Sequence, residues 1–477
     1  MSNLLTSLLR RTPELEPGGD TTPKHLGWLM LTALGIGATI GAGIFVMPGR
    51  IAEKAGPAGI LSFVITGAIF LFVGVCYERF AARVPNGVSA YSYVYHSIGE
   101  IFAWVVAFGL FLEYSFGASA VAIGWSQYLK KSLDPTPYAY HLPGLLSGPS
   151  LDASGFHFGI NVVALCVVAA VTLILLLGGV TKSAKLNFVL VCLKCTLLAL
   201  FMAAGIHHFH PENWQPFMPK GWDGVWKGAA IAVFPYVGFD ALYTFARESK
   251  SIKDTRVSTY VCIGLVAFLY VAVMAIATAI EPVFPGGNIA HINPHFKGTE
   301  ASAPLAVLLM ANGDTWVGQM IAVGAVIGIF NVLLVLSMGG PRIFRNMAED
   351  GLLPQIFTKV HKGNPTIGVI LNGLVVGAMA GFVPFETVTD IMVLGTLIAF
   401  IFVCLGALRL RLVNPLVSIL GIVGCSFLIY NLDPLVLKVY CITCPIGLVI
   451  YFSYGFWHSK LRNGGNKPLT VEQGVSH

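Results

Sequence analysis

Residues 34–45 read LGIGATIGAGIF, an apolar run with glycines at 35, 37, 41 and 43. Glycine inside a helix is destabilising by ~0.5–1 kcal/mol relative to alanine. Four of them so close together mark a helix weakened at its middle. Residues 233–241, VFPYVGFDA, carry a second such place, with Pro235 and Gly238 inside an otherwise apolar run. Proline removes one helical hydrogen bond and clashes with the preceding turn. Glycines in membrane helices also serve close packing, so each run alone says little. Their positions in the chain give them meaning.

The chain has 477 residues, 56% hydrophobic and 11% charged, with a mean hydropathy of +0.76. Soluble domains carry about 25% charged residues, so most of this chain is expected in a membrane. Apolar runs bounded by Gly, Pro or charge fall near 29–47, 58–82, 99–129, 157–177, 186–206, 226–246, 257–280, 316–338, 367–384, 388–408, 415–430 and 435–456. The expectation is an all-α membrane protein with twelve transmembrane helices. One membrane domain, 26–458, lies between short tails, 1–25 and 459–477. Leu4 to Leu9 is too short an apolar region for a cleavable signal peptide. Ser2 to Arg11 reads as an amphipathic turn on the membrane surface or as a frayed tail.

Lys and Arg orient the chain. Twenty of the 29 fall on the side of the termini, eight on the other, and Lys194 lies within a span. Both termini are therefore expected in the cytoplasm, with the protein in the plasma membrane. The net charge of +6 is a topology signal, with no nucleic-acid motif beside it. Cys192/Cys195 and Cys441/Cys444 have C-x-x-C spacing, but no second ligand pair accompanies either, and both read as helix packing. His207, His208 and His210 cluster at a span boundary without a metal-binding pattern.

The two weakened runs are the first and sixth of twelve. Those positions correspond if spans 1–5, about 27–206, and 6–10, about 224–410, are two repeats followed by two further helices, about 415–456. Interrupted spans in corresponding positions point to a transporter's substrate site. An unwound segment at mid-membrane must line a cavity rather than face lipid. Its freed N–H groups and positive half-helix end bind a carboxylate, and its freed carbonyls accept from an ammonium. An α-amino acid carries both groups.

At these residues the sequence resembles the amino acid–polyamine–organocation superfamily, and within it the bacterial relatives of the cationic amino acid transporters. The resemblance spans roughly 27–410 and rests on GIGATIGAGIF, AGPAG, SAYSYVY, Gly99-Glu100, LEY, PENWQPFMPKG, VGFDA, DGLLP, VLGTLIAF and Leu408-Arg409, in order and spacing. It implies a five-plus-five inverted repeat with broken helices 1 and 6 plus two C-terminal helices. The implied activity is amino acid uptake or exchange, commonly proton-coupled. Carried over by position, Ile40, Gly41, Ala42, Gly43 and Ile44 would present backbone to the substrate carboxylate. Phe234, Tyr236, Val237 and Gly238 would form the ammonium and side-chain wall. The sequence departs from relatives at Pro235, Val88, Glu349 and the stretch after Glu248, which bears on gating more than on substrate class.

Three polar groups inside spans complete the reading. Glu113 in the third span reads as a residue near the substrate ammonium or in a proton network, or as a glutamate snorkelling to an interface. Asp240 reads as a cap for the second half of broken span 6. Ser337 in the eighth span would leave room for a larger side chain if it lines the cavity, or packs against a neighbouring helix. Lys194 is the most telling. Eight residues precede it in the stretch 186–205 and eleven follow, about 12 and 16 Å at 1.5 Å per residue. A desolvated amine gives up its proton more readily than one in water. In the resembled family's proton-coupled members, a lysine at this position reaches towards the first break, which implies sodium-independent, proton-linked uptake with Lys194 as the coupling residue. A permanently charged structural lysine is the alternative.

The expected partners are thus a small-molecule amino acid, protons and membrane lipid, with no cofactor, metal or obligate protein partner. A polyamine or amine antiporter and a substrate-sensing receptor without transport remain open. No H-E-x-x-H, nucleophile elbow or G-x-x-x-x-G-K-[ST] loop occurs, so neither an enzyme nor an ATP-driven pump is expected.

Overall fold

Helix occupies every one of the apolar runs, because inside a membrane a segment must satisfy its own backbone hydrogen bonds. The computed structural model describes residues 10–11, 24–84, 89–134, 146–152, 155–178, 184–296, 303–361 and 364–462. The helices are α1 (Trp28–Thr39), α2 (Ala42–Ala55), α3 (Gly59–Arg83), α4 (Ala90–Ser97), α5 (Glu100–Leu133), α6 (Val162–Leu176), α7 (Ala184–His207), α8 (Gly221–Tyr236), α9 (Ala241–Thr244), α10 (Ile252–Ile280), α11 (Pro304–Ala311), α12 (Thr315–Glu349), α13 (Thr366–Phe382), α14 (Phe385–Arg409), α15 (Pro415–Tyr430) and α16 (Pro434–Ile450). Among the described residues, eight helical stretches are long and apolar enough to cross a membrane, and α1, α6, α13 and α15 are shorter apolar helices.

Local chemistry sets the helix starts. Asn414 and Asp433 each cap a helix that opens on proline, accepting from the amides of Leu416 and Leu435. Ser251 accepts from the Asp254 amide at the start of α10, and Asn161 from that of Ala164 at the start of α6. Several helices outrun their apolar stretches. α12 continues to Glu349 and α2 to Ala55, through Pro48. Hydropathy marks where lipid would end, whereas a helix ends where its capping does.

The first run breaks where its glycines are: α1 stops at Thr39, Ile40 is extended, and Gly41 (φ −126°, ψ −149°) leads into α2. The second break lies later than Pro235, which sits inside α8. Unwinding starts at Val237 and passes through Gly238 at φ +103°. The two cysteine pairs do not pack as units, since Cys192 and Cys441 are exposed while Cys195 and Cys444 are half-buried. The reading of Ser2–Arg11 lies outside the described residues except at Arg10 and Arg11.

Helices pack in a recurring pattern: α2 against α8, α3 against α10, α5 against α12, and α6 against α13. The long α5 also lies along α14, and there the backbones touch. A Cβ on Gly109 would meet the Gly395 carbonyl oxygen at 2.8 Å, and one on Gly395 would meet that of Gly109 at 2.7 Å. Small residues permit such crossings where lipid offers no hydrophobic drive for association. The first and last described segments share one face. The Glu100 amide donates to the Arg10 carbonyl (3.0 Å), and the buried Glu100 carboxylate accepts from Tyr95, Tyr451 and Ser459.

The crossing gives a direct test. Gly109→Ile forces α5 and α14 apart, whereas Gly264→Ile on α10 starts from a Cβ position with nothing within 4 Å. Thermal unfolding of purified protein in detergent should show a large loss of Tm for the first and little change for the second. Equal losses would remove the crossing as a stability determinant.

Candidate functional site at two facing helix breaks

The breaks lie against each other with almost no side chain between them. A Cβ on Gly238 would stand 2.6 Å from the Ala38 carbonyl oxygen, and one on Gly43 would collide with the Pro235 Cα. Gly41 faces the Val332 side chain of α12, at 3.0 Å from such a Cβ to Cγ1. Gly43 is therefore required by the neighbouring backbone and Gly41 by the Val332 side chain, not only by an incoming ligand. Gly238 is needed twice, for its positive φ and for its contact.

Four polar side chains bond carbonyls at or near the breaks. The Tyr270 hydroxyl on α10 shares its hydrogen between the Thr39 carbonyl (3.1 Å) and the Pro235 carbonyl (2.8 Å), one from each break. Lys194 donates from Nζ to the Gly37 carbonyl at 3.1 Å, while its aliphatic stem lies over Gly328 of α12. Tyr128 donates to the Phe45 carbonyl at 2.6 Å, steadying α2. Thr39 bonds back to the Gly35 carbonyl at 2.8 Å. The first amides of α2, from Gly41 to Ile44, have no intrahelical acceptor and point the positive end of that half-helix at the break.

Not every expected residue meets there. Ile40, Gly41, Ala42, Gly43 and Ile44 are all buried at the first break, and Phe234, Val237 and Gly238 stand at the second. Tyr236 turns away: its hydroxyl donates to the Phe63 carbonyl of α3 at 3.0 Å, leaving only its backbone for a ligand. Glu113 is 1% exposed and accepts from Thr396 of α14 at 2.9 Å, so it does not reach an interface. Asp240 lies within electrostatic reach of Glu113. It stands at the start of α9 without forming a side-chain cap bond, contrary to the capping role expected of it. Its carboxylate faces the Gly238 and Ala241 amides outside cap geometry. Ser337 is buried on α12, five residues beyond Val332, and its carbonyl accepts from Asn372 of α13. No described contact brings its side chain to the breaks.

Each flank of the breaks is closed by a separate device. On one side Arg50 of α2 grips Asp390 of α14 through both carboxylate oxygens (2.8 and 2.9 Å) and also donates to Thr389. On the face of the first and last described segments, Leu26 ahead of α1 bridges to Ser249 after α9. The His25 and Leu26 amides donate to the Glu248 carbonyl, and the Lys250 amide donates to that of Leu26. Sequence reasoning missed Tyr270 and the Arg50–Asp390 pair. A tyrosine inside an apolar run was the available signal, because a buried hydroxyl needs an acceptor.

The amino acid permease family matches residues 26–451. The chain is 34% identical over 459 residues to a branched-chain amino acid permease of Bacillus subtilis (strain 168), covering 93% of this chain and 96% of that protein. It is 33% identical over 477 residues to a methylthioribose transporter of the same strain, covering 96% and 100%. A chloroplastic cationic amino acid transporter of Arabidopsis thaliana is 33% identical over 72% of this chain and 58% of its own length.

Tyr270→Phe removes one donor and leaves two buried carbonyls without it, a loss of ~1–3 kcal/mol. The expected outcome is a lower Tm together with about tenfold weaker substrate binding, the factor that ~1.4 kcal/mol produces. Tyr236→Phe, whose bond lies outside the breaks, should lower Tm and leave affinity unchanged. Unaltered affinity in Tyr270→Phe would detach that residue from the site.

Proposed function

We propose that this chain, which belongs to the amino acid permease family within the amino acid–polyamine–organocation superfamily, is a sodium-independent, proton-linked secondary transporter of amino acids. Amides of Gly41, Ala42, Gly43 and Ile44 take the substrate carboxylate. Carbonyls and walls at Phe234, Tyr236, Val237 and Gly238 take its ammonium and side chain, with Tyr236 contributing backbone alone. Glu113 supports the ammonium or a proton network, and Ser337 leaves space for longer side chains. The single observation that carries the reading is the direct contact of the two breaks, which sets the first amides of α2 beside carbonyls of both breaks that Tyr270 gathers.

The architecture proposed with it is twelve spans, the first ten in two inverted repeats of five, with both termini cytoplasmic. Support comes from the pairing of first with sixth, second with seventh, third with eighth and fourth with ninth apolar runs. Two repeats related by an axis in the membrane plane bring corresponding elements together in this way. Twenty of 29 Lys and Arg on the side of the termini support the orientation.

Lys194 is the proposed coupling residue. Protonated, its ammonium holds the Gly37 carbonyl and so fixes the inner half of the first break. Deprotonated, it loses that charge-assisted bond, and the break is freer to change shape. The ammonium stands where a metal cation would need the same carbonyl, which favours protons over sodium. One observation favours a second reading. The methylthioribose transporter aligns over its whole length with 96% of this chain, and a neutral, hydroxyl-bearing ligand could also use freed amides and carbonyls.

The test is uptake by purified protein in liposomes, with and without an inward proton gradient and with sodium replaced by choline. Wild type should respond to the gradient and ignore sodium. Lys194→Ala should lose the pH response while exchange of substrate persists. Sodium-driven uptake, or an unchanged pH response in the variant, would refute the coupling.

A further inference from the structure

On the face shared by the first and last described segments, a cavity of about 220 Å³ opens between the lead-in to α1, the end of α3 and the start of α10. Lys24, Glu78, Ala82, Ser249, Lys250 and Thr255 are among its walls. Four features point to an anionic ligand. Lys24 and Lys250 are exposed, and among the described residues neither meets a carboxylate. Glu78 is 2% exposed, but Arg256 (3.1 Å) and Arg79 (3.3 Å) already hold its charge. At the start of α10, a helix of 29 residues that begins at this wall, Ser251 takes the Asp254 and Thr255 amides, while among the described residues those of Ile252 and Lys253 have no acceptor. Thr255 is only 5% exposed, yet among the described residues its hydroxyl has no hydrogen-bond partner. Asp254 is turned to other work, accepting from the Trp28 amide and the Ser251 hydroxyl.

A helix N-terminus, two lysines and a hydroxyl donor are the groups that hold a phosphate. At ~30 Å³ per water the cavity has room for a tetrahedral anion and several waters. We propose that it binds a phosphate group, carried by a soluble anion or by an anionic lipid headgroup. Its place gives the ligand a consequence. Lys24 precedes α1 and Lys250 follows α9, on either side of the Leu26–Ser249 bridge. An anion held by both lysines clamps the lead-in of the first broken helix to the segment after the second. This site lies apart from the breaks, so it stands or falls independently of the substrate assigned to them.

Thermal unfolding of the full-length protein in neutral detergent tests it, with inorganic phosphate titrated against chloride at matched ionic strength. A parallel arm reconstitutes the protein into phosphatidylcholine vesicles with or without phosphatidylglycerol, in phosphate-free buffer. The expected result is a saturable rise of about 3 °C in Tm, lost in Lys250→Ala and in Thr255→Val. Thr255→Val keeps every charge and nearly the same volume, so it separates a built pocket from diffuse attraction. A rise with inorganic phosphate identifies a soluble ligand, and one confined to phosphatidylglycerol vesicles identifies a headgroup. No rise in either arm, or an equal rise in Thr255→Val, overturns the proposal.

Discussion

A backbone N–H or C=O released inside a membrane has no water to bond, so every helix break there must be matched by groups the protein supplies. In this molecule one hydroxyl meets much of that demand. Tyr270 bonds a carbonyl from each break and so makes the two interruptions a single structural unit. Gly238 and Gly43 let the backbones close to contact, and Lys194 takes the next exposed carbonyl towards the start of α1. What remains is the set of amides at the start of α2, a concentrated positive end with no acceptor among the described residues. A site with that residue of polarity selects for a ligand carrying a negative group.

The rest of the fold can be understood as support for this unit. α5 and α14 cross at glycines, which brings Thr396 against Glu113 at 2.9 Å. The half-helix α2 is anchored twice, by Tyr128 near its start and by the Arg50–Asp390 pair further along. A buried ion pair is weak evidence for stability, because desolvation offsets much of the attraction. The backbone bridge at Leu26 and Ser249 closes the opposite flank by neutral hydrogen bonds, which separate without exposing charge.

The apolar helices and their order were legible because hydropathy is a local property, and the breaks because glycine and proline act on their own backbone. The position of the second break was less so. Pro235 looks like its start, yet proline can sit in a helix when neighbouring groups take up the carbonyl it leaves unpaired, and unwinding waits for Val237. Contacts between distant residues were not legible. Tyr270 and Thr39 are 231 positions apart and Arg50 and Asp390 are 340, and neither sequence neighbourhood announces its partner. Tyr236 shows the converse. Its position in the motif suggests a ligand contact, while its side chain is committed to α3.

The central claim is that the facing breaks recognise an α-carboxylate and an α-ammonium together. The most direct measurement is competition in counterflow, using liposomes that hold the purified protein and a radiolabelled amino acid it takes up. Unlabelled amino acid should compete fully. The matching simple amine, the matching simple carboxylate and an uncharged thioether sugar should each compete poorly. Competition by any of these three as strong as that of the amino acid itself would contradict paired recognition at the breaks.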